Sequence, residues 1–150
     1  MKHINVALFV VHKGCPHTCS FCNQRSISGS TVEITAAQVH EAAATAIKSL
    51  SESEAAGGEI AFFGGSFTAI DRDYMLSLLK AAKPYAEYFD GIRVSTRPDA
   101  IDDEILKLLK DYNVKAIELG AQSMDDKVLI ANERGHSAQD VRDASRLIKK

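Results

Sequence analysis

The stretch Gly91–Leu119, GIRVSTRPDAIDDEILKLLKDYNVKAIEL, decides the fold class. Its ends, GIRVST (91–96) and VKAIEL (114–119), are short runs rich in β-branched residues and read as strands. Between them Asp102 caps a helix whose first turn holds Asp103 and Glu104, where negative charge meets the positive end of the helix dipole. Ile105, Leu108, Leu109 and Tyr112 recur at helical spacing and mark its inward face. Two strands joined through one helix pair in parallel, with a right-handed crossover.

The same pattern extends in both directions. Residues 5–12 (NVALFVVH) form a near-continuous apolar run, predicted to be a strand buried on both faces. Thr35 opens a helix with Gln38 three residues on, a capping-box pattern, and Val39, Ala43, Ala46, Ile47 and Leu50 share its apolar face. The polar stretch 49–59 (SLSESEAAGGE) reads as a loop. Residues 59–63 (EIAFF) are a second strand, ended by Gly64-Gly65. A helix from near Asp71 turns Tyr74, Met75, Leu78, Leu79 and Ala82 inward, and Pro84 kinks or restarts it. A short helix over 124–131 and a last one over 137–150, with Val141, Ala144, Leu147 and Ile148 inward, complete the chain.

About four βα units in succession imply an α/β fold, a slice of a parallel β/α barrel of partial TIM type. A small open doubly wound sheet is the alternative. Four strands leave a sheet edge unpaired, and the sequence stops inside a helix at 147–150. The expectation is therefore one partial core domain over 1–150, truncated, with the later strands of the barrel missing.

The composition is that of an ordinary globular domain: 150 residues, 45% hydrophobic, 25% charged, net charge −2. No overall basic footprint for nucleic acid is present, and Lys13 and Arg25 are too few to make a local one. No run approaches the roughly 20 apolar residues that span a membrane. Free cysteines without a secretory signal point to the reducing cytoplasm.

The three cysteines, Cys15, Cys19 and Cys22, all stand in GCPHTCSFCNQ, just after the first strand. An odd count at such short spacing does not make a disulfide framework. Three thiolates that converge make a metal or iron–sulfur site not closed by cysteine, and an open position is where chemistry happens. Zinc is the rival, since His12 or His17 would complete a Cys3His set. A structural zinc site usually draws on a second ligand pair, which this sequence lacks.

Ligands of parallel β/α folds bind at the carboxyl ends of the strands, where the unusual residues of this chain recur. After strand two, Gly64-Gly65 allows close backbone approach, or simply a turn, and Ser66 follows. After strand three, Ser95 and Thr96 offer hydroxyls and Arg97 a cationic fork, for a carboxylate ligand or for Asp99. In strand four, Glu118 interrupts an apolar run and is expected to be buried, pointing inward, against a ligand or an arginine of another loop. Gln122 and Ser123 follow it. Arg134 and His136, in NERGHS, read as a solvated pair ahead of the last helix.

C-x3-C-x2-C with Phe21 before the last cysteine resembles the cluster signature of the radical S-adenosylmethionine superfamily. GGSFT, STRPD, ELGAQS and RGHS, in that order, are similar to strings of the branch that contains the Elongator catalytic subunit. Ser66 and Ser95 stand where acidic residues are usual. The resemblance implies a [4Fe–4S] cluster on Cys15, Cys19 and Cys22, with S-adenosylmethionine on the open iron and its reductive cleavage to a 5′-deoxyadenosyl radical. It further implies Phe21 near the adenine, Gly64, Gly65 and Ser66 at the amine, and Arg97, Glu118 and Gln122 at carboxylate or ribose. An electron donor such as flavodoxin or ferredoxin and a tRNA substrate are the implied partners. The rival functions are a zinc-stabilised binding module and a truncated fragment without turnover.

Overall fold

The computed structural model describes residues 4–11, 19, 20, 22 and 32–150. Four strands, β1 (Asn5–Val10), β2 (Glu59–Gly64), β3 (Gly91–Thr96) and β4 (Val114–Leu119), form one sheet in the order β1-β2-β3-β4. Every neighbouring pair is parallel. A doubly wound sheet reverses strand order at a switch point. This sheet advances one strand at a time, as a barrel wall does.

Among the described residues six α-helices lie between and after the strands: α1 (Ala36–Ser49), α2 (Glu52–Ala56), α3 (Arg72–Ala82), α4 (Asp103–Asp111), α5 (Asp126–Ala131) and α6 (Ala138–Ile148). Their starts are set by side-chain caps. Thr35 and Gln38 make the expected capping box, and Ser137 and Asp140 make another. Asp71, Asp102 and Asp125 cap α3, α4 and α5. Beyond α3, Lys83–Tyr85 forms a single 3-10 turn around Pro84. The loop expected over 49–59 instead contains α2. Ser51 Oγ accepts the Glu54 N–H, while the Ser51 hydroxyl and N–H both donate to the Glu54 carboxylate and hold that carboxyl below its ordinary pKa. Reciprocal capping at its N-terminus makes a five-residue helix from a polar, glycine-bounded segment.

Register divides the sheet into two rows. Val6, Ile60 and Ile92 are neighbours, as are Leu8, Phe62, Val94 and Ile117. This row faces the helices and is closed by Val39 and Ala43 of α1, Met75, Leu78 and Leu79 of α3, and Leu109 of α4. The opposite row, Ala7, Phe9, Ala61, Phe63, Arg93, Ser95, Ala116 and Glu118, is the side a barrel turns toward its lumen. The expectation that the first strand is buried on both faces fails here. β1 alternates between buried and exposed residues, and Phe9 keeps 38% of its surface exposed. Its second face belongs to a lumen that these strands only partly enclose.

Gly64 ends β2 at φ +116°, and a Cβ there would stand 2.2 Å from the Val10 carbonyl oxygen. Both the backbone conformation and the space exclude a side chain. Gly64→Ala is therefore expected to lower stability by about 2 kcal/mol or more, read as a falling midpoint in urea. An unchanged midpoint would show that the β1–β2 contact relaxes freely.

Candidate cofactor site at the strand ends

The loop after β2 and the loop after β3 are joined by a buried run of hydroxyls. Thr96, the last residue of β3, meets the Ser66 hydroxyl at 2.9 Å and the Thr68 hydroxyl at 2.6 Å. Thr68 donates to the Ala100 carbonyl at 2.6 Å, and the Arg97 N–H donates to Ser66 Oγ at 3.2 Å. With Thr68's proton committed to a carbonyl, the directions follow. Thr96 donates to Thr68, Ser66 donates to Thr96, and Ser66 accepts from Arg97. The buried rings of Phe62 and Phe67 stack, centroids 4.9 Å apart, joining β2 to the loop that carries Ser66 and Thr68.

Arg97 is only 5% exposed. Its Nε and Nη2 donate to the two carboxylate oxygens of Asp99 at 2.6 and 2.8 Å, and Nη2 also donates to the Arg134 carbonyl at 3.1 Å. Arg134 in turn reaches two other elements. Its Nη2 donates to the Gly120 carbonyl after β4 at 2.7 Å, and its Nη1 donates to Cys19 Sγ at 3.1 Å.

The cysteine segment is docked at this end of the sheet. Ser20 donates its hydroxyl to Asn132 Oδ1 at 2.8 Å and its N–H to the Asn132 carbonyl at 3.4 Å. The Cys22 N–H donates to the Cys19 carbonyl at 2.9 Å, so a tight turn carries both thiols. Cys19 is buried, Cys22 half-buried, and both are free of disulfides. A pocket of about 210 Å³ lies alongside, lined by Gln122, Ser123, Val128, Leu129, Asn132 and Arg134.

The family model of the Radical SAM superfamily matches residues 9–150. The chain belongs to the radical SAM superfamily. Among curated relatives, a Methanocaldococcus jannaschii protein that carries a provisional methylthiotransferase name is 27% identical over 92% of this chain and 31% of its own length. The tRNA uridine(34) acetyltransferase of Dehalococcoides mccartyi is 27% identical over 61% of this chain and 24% of its own length. Among solved structures, the archaeal Elp3 of Methanocaldococcus infernus superposes with a TM-score of 0.62 at 18% identity, over 95% of this chain and 34% of that one. The chain thus spans about a quarter to a third of the length of these proteins. The likeness to Elp3 shows the fold, which is of the parallel α/β barrel type.

On this radical SAM core the residues singled out by sequence divide into groups. Cys15 and Phe21 lie outside the described residues. Cys19 and Cys22 sit at the mouth. Among the described residues no three His, Cys, Asp or Glu side chains converge as a metal site, and two of the cysteine triplet are in that set. Gly64, Gly65 and Ser66 come together with Arg97 through the Ser66 hydroxyl, which is spent on the internal network. Gln122 is exposed beside the pocket, at φ +63°.

Two expectations are corrected. Glu118 is not a buried carboxylate: its side chain is 46% exposed on the lumen face. Its partners are Arg93 at 3.2 Å and the Ser95 hydroxyl at 2.9 Å, both on β3 rather than in a loop. The cause is register, which sets Glu118 opposite Ser95 on the same row. Arg134 and His136 are not a solvated pair. His136 is only 7% exposed, with Nε2 3.2 Å from the Ala121 carbonyl and Nδ1 buried without a hydrogen-bond partner among the described residues. Arg134 sits between two left-handed residues, Glu133 at φ +54° and Gly135 at φ +72°, and only the glycine is a visible mark of this turn in the sequence.

Thr96→Val removes the hydroxyl that Ser66 donates to and Thr68 accepts from. It is expected to cost about 1–3 kcal/mol in urea denaturation, while Thr96→Ser keeps most of the stability. Equal losses in both would mean the methyl group matters and the hydroxyls do not.

Burial pushes the His136 pKa below its ordinary value, outweighing the Ala121 hydrogen bond. The native state therefore resists a proton that the unfolded chain takes up near pH 6.5. Stability from this residue is intact above that pH and is lost as pH falls below it. Comparing urea midpoints at pH 7.5 and 5.5, His136→Gln should lose less than the parent. Identical losses would refute the assignment.

Proposed function

We propose that this chain is the cluster-bearing portion of a radical SAM enzyme, with Cys15, Cys19 and Cys22 as the iron ligands. The observation that carries the reading is the docking of the Cys19–Cys22 turn against the carboxyl ends of β3 and β4 through Asn132 and Arg134. The donors fit an iron–sulfur group. Two free thiols share one turn, and one sulfur already accepts a charged N–H, the kind of bond that supports cluster sulfurs.

Bound there, a [4Fe–4S] cluster with S-adenosylmethionine would supply reductive cleavage of the sulfonium, giving methionine and a 5′-deoxyadenosyl radical. The protein's part is to bind and orient. The Ser66 hydroxyl is committed inward and the Ser66 carbonyl already accepts the Ala69 N–H at 3.0 Å, so of Gly64, Gly65 and Ser66 it is the backbone carbonyls of Gly64 and Gly65 that are best placed to receive an amine. The Arg97 fork holds Asp99 and acts on a carboxylate ligand only by sharing or exchanging that partner. Glu118 and Gln122 are exposed and open to ribose hydroxyls, and Phe21 would border the adenine. The donor of the electron is a low-potential carrier of the flavodoxin or ferredoxin kind, in a reducing cytoplasm where the thiols persist. A tRNA substrate draws support from the relative named as a tRNA uridine(34) acetyltransferase. Among the described residues no helix is long and apolar enough to cross a membrane.

Anaerobic reconstitution with iron and sulfide, followed by EPR of the reduced protein, tests this reading. A [4Fe–4S]⁺ signal that changes when S-adenosylmethionine is added is expected. A signal indifferent to it would leave a metal-holding fragment without the reaction. One zinc per chain and no cluster would make the chain a zinc-stabilised module instead.

A further inference from the structure

We infer that Arg134 is a positioning residue for the Cys19 sulfur, fixing that ligand and setting the reduction potential of the group it holds. The inference rests on the reading above and adds a residue to it. The guanidinium is immobilised from several sides. Its Nη2 is bonded to the Gly120 carbonyl, and its main-chain carbonyl accepts from buried Arg97. Its main-chain N–H donates to the Leu129 carbonyl at 3.0 Å. Left-handed residues stand on either side of it, Glu133 and Gly135. What this arrangement leaves pointing at the cysteine turn is Nη1, 3.1 Å from Cys19 Sγ.

The fork geometry matters. Arginine serves the carbonyl and the sulfur at once through two nitrogens of one rigid plane, which lysine cannot do. A charged donor on a ligating sulfur stabilises the more negative, reduced form of an iron–sulfur group more than the oxidised form, and so raises its potential. The same bond keeps the sulfur in its ligating position. Asn132 offers an internal comparison, because its side chain binds the neighbouring Ser20 hydroxyl and the Val128 carbonyl, where Arg134 binds the Cys19 sulfur.

The experiment uses the full chain, reconstituted anaerobically, and reads the cluster midpoint by EPR-monitored reductive titration and iron loss to a chelator. In Arg134→Gln the ratio of reduced to oxidised cluster at a fixed potential should fall at least about tenfold, a midpoint lower by about 59 mV for one electron. Iron should also be lost faster. Arg134→Lys should fall between this and the parent, and it carries the test if circular dichroism shows the glutamine variant misfolded. Asn132→Ala should lose iron faster with the midpoint unmoved. The same midpoint in Arg134→Gln and parent overturns the inference, as does an equal shift in Asn132→Ala. A parent chain that takes up no cluster removes the proposed function and this inference together; a loaded parent with unmoved variants removes this inference alone.

Discussion

The Thr96 hydroxyl is the joint on which the mouth of this sheet depends. It stands at the end of β3 and is bonded to the loop after β2 through Ser66 and Thr68. Ser66 holds the Arg97 N–H, the Arg97 side chain holds the Arg134 carbonyl, and the Arg134 side chain reaches Gly120 and Cys19. A single neutral hydrogen bond contributes only about 0.5–1.5 kcal/mol net. Here the buried hydroxyls have no route to water, so breaking one strands the next, and the network acts as a unit.

The lumen face is organised by different physics from the helix-facing core. Glu59 is buried on β2 and binds Arg93 on β3 at 2.7 Å, and Arg93 passes its other arm to Glu118 on β4. The hydrogen bond to Glu59 raises the Arg93 pKa above its ordinary value. Three strands are thus laced by charge on one side and by apolar side chains on the other. Replacing one member would leave a partly buried charge with a lost partner, which costs more than the intact row contributes.

Much of this was legible in the sequence because the signals were local. Caps at Thr35, Asp71 and Asp102 lie where the structure starts helices, and the four strands fall on the β-branched runs. α2 escaped because its apolar content is too small to set a period, and only its capping box, Ser51 with Glu54, reveals it. Glu118 was misjudged because burial of a strand residue depends on what covers the face, which no local pattern carries. Arg134 and His136 were misjudged for a related reason. Their partners, Cys19, Gly120 and Ala121, are brought near by the fold and not by spacing.

The span between Arg134 and Cys19 has a temporal meaning. The bond closes a segment of 115 residues, and the Ser20–Asn132 bond closes one of 112. During synthesis the cysteines are made first and the residues that seat them follow more than a hundred residues later. Neither tether can form until the intervening βα units have found one another, because it is the pairing of β1 through β4 that brings the α5–α6 turn back to the segment after β1. Occupation of the thiols by metal before then would meet an unsupported loop. The seat, and any selectivity it confers, belongs to the folded chain alone.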